Sequence, residues 1–218
     1  MFHTDIKHIV AFFLIIGGSL SLNGQSDYQK VLNCLQSDSI IFEKEINEVY
    51  KNGKLKKKGR YIRKPFRDCG LEYIDLYVGT HTSYARNGKL RDSTIYNGNG
   101  IAIEGYLFTS SDALCFLKII NTDPEALEFK IGPVFRAIPK SYEKFWLYPP
   151  NQITSSHTIY KKGKRHGIKR RYWQDGSIRM EQNFEYGKKL SSKWFKKTDE
   201  SKLKIKEILK SWKQDRKS

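Results

Sequence analysis

The sequence predicts a mainly β protein: an elongated meander of β-hairpins forming a repeat ribbon, with a short N-terminal helix and an amphipathic C-terminal helix. Three observations support this class. Glycine-containing turn dipeptides recur along the chain, the residues between them alternate as in strands, and 13 Tyr and 12 Phe accompany an apolar content of only 39%. Alternating aromatic and charged residues suit half-exposed strands, whereas a doubly covered sheet needs continuous apolar runs.

The stretch from Tyr160 to Leu190 contains one short unit three times. An aromatic residue stands three positions before each of Gly163, Gly176 and Gly187, and these glycines are 13 and 11 residues apart. Between the turns the side chains alternate over about 5 residues, which is the strand length expected of a small meander. The stretch therefore predicts successive hairpins, with most of its basic residues on their solvent side.

Asn-Gly pairs punctuate the chain upstream as well, at Asn52-Gly53, at Asn87-Gly88 and twice between 97 and 100. Asn-Gly between alternating segments is a strong hairpin signal, because the turn needs a positive φ that glycine adopts without strain. We therefore expect structural turn glycines at six positions: Gly53, Gly88, Gly163, Gly167, Gly176 and Gly187.

The segment YKKGKRHGIKRRYWQDGSIRMEQNFEYGKK resembles the MORN repeat, especially its degenerate bacterial variant in YwqK-like proteins labelled antitoxins. The matching elements are the aromatic-x-x-Gly-Lys turn, a second glycine at Gly167, and the aromatic-x-Asp-Gly turn at Trp173–Gly176. The resemblance is good over 159–197, partial over 50–62 and 84–108, and absent from 109–158. It implies a ribbon of β-hairpins used for contacts with proteins or, in some members, with membrane lipids.

The chain divides by pattern into five segments. A helical spacing of apolar residues over 27–38 predicts the first helix. The run ALCFLKII in the middle of the chain is compatible with a buried strand or a helix turn, and the strand is favoured because Ile and Phe cluster there. The segments are 1–24, a signal peptide; 25–108, the N-terminal helix and degenerate hairpin repeats; 109–158, a non-repeat insert of mixed strand and turn; 159–197, MORN-like repeats; and 198–218, a basic C-terminal helix.

The first residues indicate export. An unbroken apolar run from Ile9 to Ile16 follows Lys7, and Gly17 and Gly18 come directly after it. A run of this length is too short for a stable membrane anchor and is typical of a secretory signal peptide. A buried N-terminal helix is the alternative. We expect the protein in the periplasm, in the outer envelope or outside the cell.

The last residues predict a helix with an apolar stripe. Ile205, Ile208, Leu209 and Trp212 recur at helical spacing with lysines around them. One interpretation is a cap that packs its stripe over the last hairpin, as open arrays require. The other is a basic amphipathic helix lying in an anionic membrane surface. The cap is favoured, because an uncovered ribbon edge aggregates.

Positive charge is concentrated at the C-terminal end. Residues 159–218 contain 20 Lys and Arg against 7 Asp and Glu, a net charge of +13 in a chain of net charge +17. This bias predicts attraction to polyanions, and an exported protein seldom meets nucleic acid. The candidate residues for binding an anion or a partner are Lys161, Lys164, Arg165, Arg170 and Arg171.

No catalytic constellation stands out. His81, His157 and His166 are isolated in turn-rich segments, where a surface role is expected rather than a ligand or general base. The segment Gly100–Gly105 lacks the lysine and hydroxyl that a phosphate-binding loop needs. We therefore expect no enzymatic activity and no cofactor.

The three cysteines have no short paired spacing, so no metal site is predicted. Two interpretations stay open for Cys34, Cys69 and Cys115: one disulfide with a thiol left over, or three small buried apolar residues.

These observations predict an exported, non-enzymatic repeat protein that serves as a binding or scaffold module. The first expected partner is a protein, and the second is an anionic lipid or envelope glycan. The alternative function, implied by the resemblance, is an antitoxin-like or immunity-like protein that neutralises a partner toxin. A third class is a glycan-active enzyme within 109–158.

Overall fold

The protein is built on one open antiparallel sheet of 12 strands, which confirms the predicted meander. The computed structural model describes residues 31, 33–35, 39–67, 72–109, 114–123, 127–130, 136–148 and 152–215. The signal peptide expected at 1–24 lies outside these residues. Val31 and Asn33–Leu35 are helical, and a helix follows the last strand, so both predicted helices are found.

Fourteen strands and the C-terminal helix α1 (Asp199–Asp215) are formed by the described residues. The strands are β1 (Phe42–Val49), β2 (Leu55–Pro65), β3 (Tyr73–Tyr84), β4 (Leu90–Tyr96), β5 (Ala102–Phe108), β6 (Cys115–Asn121), β7 (Leu127–Lys130), β8 (Arg136–Pro139), β9 (Tyr142–Tyr148), β10 (Ile153–Lys161), β11 (Lys164–Arg165), β12 (Gly167–Tyr172), β13 (Ile178–Glu185) and β14 (Lys188–Trp194).

Neighbouring strands of the sheet follow one another along the chain, except at one place. The order is β1-β2-β3-β4-β5-β6-β9-β10-β12-β13-β14, with the short β11 paired to β10. Strands β7 and β8 form a separate two-stranded sheet, and β6 pairs directly with β9 through Leu117↔Trp146 and the residues that follow. The strand predicted in ALCFLKII is β6. The middle of the chain therefore continues the same sheet around a hairpin excursion.

Four hairpin turns share one hydrogen-bond pattern. In the turn that begins at Tyr50, the Tyr50 N–H donates to the Lys54 carbonyl, and the Gly53 N–H donates to the Tyr50 carbonyl. The same pair of bonds closes the turns at 85–89, 97–101 and 173–177. The glycine has a positive φ of 73° to 90° in all four. This is a type I turn followed by a left-handed glycine.

Two other turns with the same glycine spacing are built differently. Lys162 and Gly163 have φ values of 51° and 75°, and Tyr186 and Gly187 have values of 43° and 95°. Positive φ at both central residues is the type I′ turn, whose twist matches that of the flanking strands. The three glycines that the sequence aligns therefore belong to two turn types. Gly167, with a φ of 70°, lies in a strand junction rather than at a turn tip.

The principal core lies on one face of β2 and β3. We call face A the side of the sheet that carries Ile62 and Leu76, and face B the side that carries Tyr61 and Tyr77. Apolar side chains of β2 and β3 on face A are buried against Val31 and Leu35 of the N-terminal helix. This core lies on one face of the sheet. Its buried apolar members are Val31, Leu35, Ile62, Phe66, Ile74, Leu76, Val78 and Ile101.

A hydrogen bond also ties the N-terminal helix to the sheet. The Lys64 ammonium is buried on face A and donates to the Leu35 carbonyl at 2.8 Å. Cys34 is in a disulfide, and Cys115 has a free thiol. The third cysteine, Cys69, lies outside the described residues.

On face B, His81 lies flat over a glycine of the neighbouring strand. A Cβ added to Gly59 would come within 2.4 Å of His81 Nδ1, so no side chain fits there. His81 Nε2 is 2.7 Å from the Arg60 carbonyl oxygen, and the ring also contacts Tyr77 and Tyr96 with centroid distances of 4.3 and 5.2 Å. Burial lowers the pKa of His81 below its usual 6.5, with a smaller contribution from the charge of Lys57.

The first turns of α1 pack beside the turn between β12 and β13. Ser201 and Ile205 are buried, and the Ser201 hydroxyl lies 3.3 Å from the Ser177 hydroxyl. Thr198 begins the helix by accepting a hydrogen bond from the Ser201 N–H at 3.1 Å. Leu203 and Leu209 are exposed. In the parts of the chain that the structure describes, no helix is both long and apolar enough to cross a membrane.

Candidate functional site

Basic side chains converge on face B of the C-terminal strands. We call the basic strip the five cations that the strand register places on this face between β9 and β14. They are Lys144 of β9, Arg165 of β11, Lys169 and Arg171 of β12, and Lys189 of β14.

The register separates the charges of these strands. Arg171 lies opposite Ser156 on one side and Met180 on the other, so all three are on face B. Strands β9 to β14 carry three carboxylates, and the alternation of side chains along the strands places all three on face A. They are Glu143, Glu181 and Glu185. Face B of these strands therefore has five cations and no carboxylate among the described strand residues.

Aromatic rings lie between the cations of the basic strip. Tyr142 and Tyr160 stack with their centroids 4.6 Å apart and their planes 13° apart. Lys144 Nζ lies 5.0 Å from the Trp146 ring centroid, and the Arg165 guanidinium lies 4.6 Å above Phe184. Such contacts hold the cations in place through the ring quadrupole while leaving their hydrogen-bond donors unused.

Two lysines of the basic strip are shielded from water without a counter-charge. Burial lowers the pKa of Lys144, and burial followed by the charges of Arg171 and Arg165 lowers the pKa of Lys169. Neither lysine makes an ion pair with the described residues. Both therefore have a charged form that is less stable than in water, and an approaching anion would restore the lost stabilisation.

The structure divides the five candidate residues predicted from sequence between the two faces. Lys161 and Lys164 face each other beside the Lys162–Gly163 turn and lie on face A. Arg170 is also on face A, where its Nε donates to Glu181 Oε1 at 2.8 Å. Arg165 and Arg171 are on face B. The predicted residues therefore do not form one cluster, and only two of them belong to the basic strip.

Lys144, Lys169 and Lys189 were not among the residues predicted from the sequence. The alternation in GIKRRY already puts Lys169 and Arg171 on one side, so Lys169 could have been found from it. Lys144 joins the basic strip because β10 pairs with β9 through Ser156↔Trp146 and Thr158↔Lys144, and with β12 through Ser156↔Arg171. Pairing across strands is not visible in the sequence.

Face A carries a row of paired polar groups that extends from β5 to β10. Glu104 accepts a hydrogen bond from the Tyr106 hydroxyl, and Lys118 Nζ lies 3.8 Å from Glu104 Oε2. Two strands further, Glu143 Oε2 is 2.8 Å from His157 Nε2. The register through Ile120 places Glu104 and Glu143 on the same face. Their charges are matched within the sheet, in contrast to those of the basic strip.

A groove of about 540 Å³ lies at the other end of face B. It crosses β1, β2 and β3 and combines charged and aromatic side chains. Its walls include Lys44, Ile46, Glu48, Tyr61, Asp75 and Tyr77. The Asp75 carboxylate is already occupied by a bidentate pair with Arg63 at 2.7 and 2.9 Å, so the groove has no concentrated charge of one sign.

The described residues contain no group of three or more His, Cys, Asp or Glu arranged to hold a metal ion. Fold and surface together define a β-meander protein with a basic strip on one face of its C-terminal strands. Comparisons with protein-family models, with curated proteins and with solved structures found no match to this chain. Membership of the MORN-repeat family therefore stays a prediction from the motifs.

Proposed function

We propose that the protein is an exported, non-enzymatic binding module that holds an anionic polymer of the cell envelope on its basic strip. The observation that carries the proposal is the separation of charge between the faces of β9 to β14. Cations whose carboxylate neighbours all point to the other side of the sheet attract an external anion.

The aromatic rings favour a glycan as the polymer. The stacked pair Tyr142 and Tyr160 places a flat apolar surface between Lys144 and Arg165, and Trp146 adds another on the other side of Lys144. A rigid, half-buried aromatic offers contact area at low entropic cost, and its neighbouring cations supply the charge recognition. An acidic polysaccharide presents both ring surfaces and carboxylates or phosphates along one chain.

Two features support export. The apolar run of Ile9–Ile16 followed by Gly17 and Gly18 is typical of a secretory leader. Cys34 is in a disulfide, and disulfides persist mainly in oxidising compartments. Mass spectrometry of the protein from its host is expected to find a mature N-terminus near Leu22–Ser26. An intact Met1 form in the cytoplasm would contradict export.

The binding test compares two double variants that change the net charge equally. Lys169→Glu/Arg171→Glu alters face B, and Lys161→Glu/Lys164→Glu alters face A nearby. Affinity for immobilised alginate is expected to fall at least about tenfold in the face B variant and far less in the face A variant, because opposed charges at the contact repel locally. Wild-type binding should weaken steeply above about 150 mM salt, since the Debye length is then only ~8 Å.

Thermal melting of both variants checks that the sheet is intact. Equal losses in the two variants would mean that net charge alone attracts the polymer, and this would overturn the proposal. Co-sedimentation with phosphatidylglycerol vesicles is the second arm. Binding to vesicles without binding to alginate would assign the basic strip to a membrane surface instead. The antitoxin alternative rests on the motif resemblance and has no support of its own among the described contacts.

A further inference from the structure

The sheet is open, and its two end strands have free hydrogen-bonding edges in the described part of the chain. β1 pairs only with β2, and β14 pairs only with β13. An edge strand presents a row of unpaired N–H and C=O groups and is a template for another strand. Each of the two edge strands is therefore expected either to pair with another strand or to carry a feature that prevents such pairing.

The edges carry opposite charge. β1 contains Glu43, Glu45 and Glu48 against Lys44, whereas β14 contains three lysines and no carboxylate. On face A the contrast is sharpest, because Glu43 and Glu45 lie on face A of β1. Lys188 and Lys193 lie on face A of β14, opposite Glu185 and Glu181. Pairing of β1 with β1, or of β14 with β14, would bring like charges together, whereas β1 with β14 brings opposite charges together.

Large apolar side chains are exposed at the same two edges. Ile41 is 56% exposed and Val49 is 61% exposed at β1, and Leu190 is 52% exposed and Trp194 is 61% exposed at β14. Single exposed apolar residues are ordinary, but here four of the most exposed ones flank the two free edges. Burying them would add to the hydrogen bonds of a new strand pair.

The topology sets the orientation of such a pair. The antiparallel path from β1 to β14 has eleven strands, and an odd number makes β1 and β14 run in the same direction. A second copy that adds its β1 to β14 with face A on the same side therefore forms a parallel pair. This contact is head-to-tail, so each new copy offers a further free edge and the assembly does not close.

We propose that the edge of β14 binds the edge of β1 of a second copy of this chain, giving an open head-to-tail array. A contact of seven or eight residues per strand is small compared with a standard protein interface, so the association is weak and depends on concentration. The opposite edge charges make it stronger at low salt. In the array the basic strip of every copy lies on the same side.

The test uses two edge variants of the whole chain, purified from its host. Glu45→Lys/Asn47→Lys makes β1 basic, so both edges of that variant are positive. Lys188→Glu/Lys193→Glu makes β14 acidic, so both edges of that variant are negative. The control is Lys161→Glu/Lys164→Glu, which matches the second variant in charge change but lies on β10 and β11 rather than on an edge strand. Melting temperatures of all four proteins confirm that the sheet is folded.

Sedimentation velocity follows assembly at about 50 mM salt, where screening is weak. The wild type and the control are expected to sediment faster as concentration rises, with no plateau at a dimer. Each edge variant alone should remain monomeric, and an equimolar mixture of the two should assemble again, because each then finds an edge of opposite charge.

A wild type that stays monomeric at roughly 100 μM would overturn the proposal, since even weak interfaces populate complexes at that concentration. So would a closed dimer, or a mixture of the two edge variants that fails to assemble. Assembly that is lost equally in the control would assign it to net charge rather than to the edges, which also overturns it.

Discussion

Replacing Gly59 with alanine tests how closely the His81 ring packs against β2 on face B. The added Cβ would lie 2.4 Å from His81 Nδ1, 2.6 Å from Cε1 and 2.7 Å from Cγ. These are ring atoms held between Tyr77 and Tyr96, so the ring as a whole has to move away. Its contact with the Arg60 carbonyl is then lost.

The expected magnitude follows from these contacts. The lost hydrogen bond contributes about 1 kcal/mol, and the displaced aromatic contacts contribute about 1 kcal/mol more. Alanine in a strand recovers about 0.5–1 kcal/mol relative to glycine. Gly59→Ala should therefore lower the free energy of unfolding by about 1–1.5 kcal/mol.

Gly105→Ala is the matched control. Gly105 is also in the middle of a strand, β5, but nothing lies within 4 Å of a Cβ added there. Its replacement should leave the free energy of unfolding unchanged or raise it by up to about 1 kcal/mol. Urea titration followed by circular dichroism measures both variants. The two glycines are thus expected to respond with opposite signs.

A double-mutant cycle assigns the cause. In a His81→Ala background the clash is absent, so Gly59→Ala should be neutral or stabilising there, with a coupling of about 1–2 kcal/mol. A Gly59→Ala variant as stable as the wild type would refute the reasoning. So would an equal loss with and without His81.

Three further predictions concern the turns, pH and the disulfide. Gly163→Val should lower the free energy of unfolding by about 1 kcal/mol or more, because φ is positive at this position. Lys161→Ala changes an exposed side chain and should alter the thermal midpoint little. Thermal melts that rank the two variants the other way round would contradict the turn assignment. Burial lowers the pKa of His81 in the folded protein below 6.5, so the unfolded chain protonates this histidine more readily than the folded chain. The stabilisation that neutral His81 provides is therefore complete above about pH 6.5 and is lost as the pH falls below that value. The urea midpoint should therefore drop between pH 7 and pH 5 more in the wild type than in His81→Gln, and equal drops would exclude this histidine. Cys34→Ser should lower the free energy of unfolding by about 2–4 kcal/mol, whereas Cys115→Ser should leave it nearly unchanged, because Cys34 is in a disulfide and Cys115 has a free thiol. Urea titrations of the two variants should show this ranking.

The hairpins were predictable because their chemistry is local. Asn52 and Asn87 each accept a hydrogen bond from the backbone N–H two residues later, at 3.2 and 3.0 Å, and Asp175 does the same for Ser177 at 3.1 Å. These bonds involve residues adjacent in sequence, so the dipeptides Asn-Gly and Asp-Gly report them directly. The alternation on β12 was likewise readable from the sequence.

The composition of the basic strip was not predictable, because it depends on pairing between strands. The sequence does not show which strands pair or in which register, so Lys144 of β9 could not be placed near β12. The candidate set combined Arg170 and Arg171 because both lie in the basic segment, although strand alternation puts them on opposite faces. The distinction between the two turn types was also missed, because both use a glycine at the same distance from an aromatic residue.

The direct pairing of β6 with β9 has a consequence for how such a chain can change in length. Register is continuous from Leu117↔Trp146 to Asn121↔Tyr142, although the two strands are separated by the β7–β8 hairpin. The segment that contains β7 and β8 leaves the main sheet after β6 and returns to it at β9, and β6 and β9 are hydrogen-bonded to each other. The length of this segment therefore does not affect the pairing of the strands on either side. In an evolutionary lineage, whole hairpins could be gained, lost or exchanged at this junction while the flanking strands kept their partners.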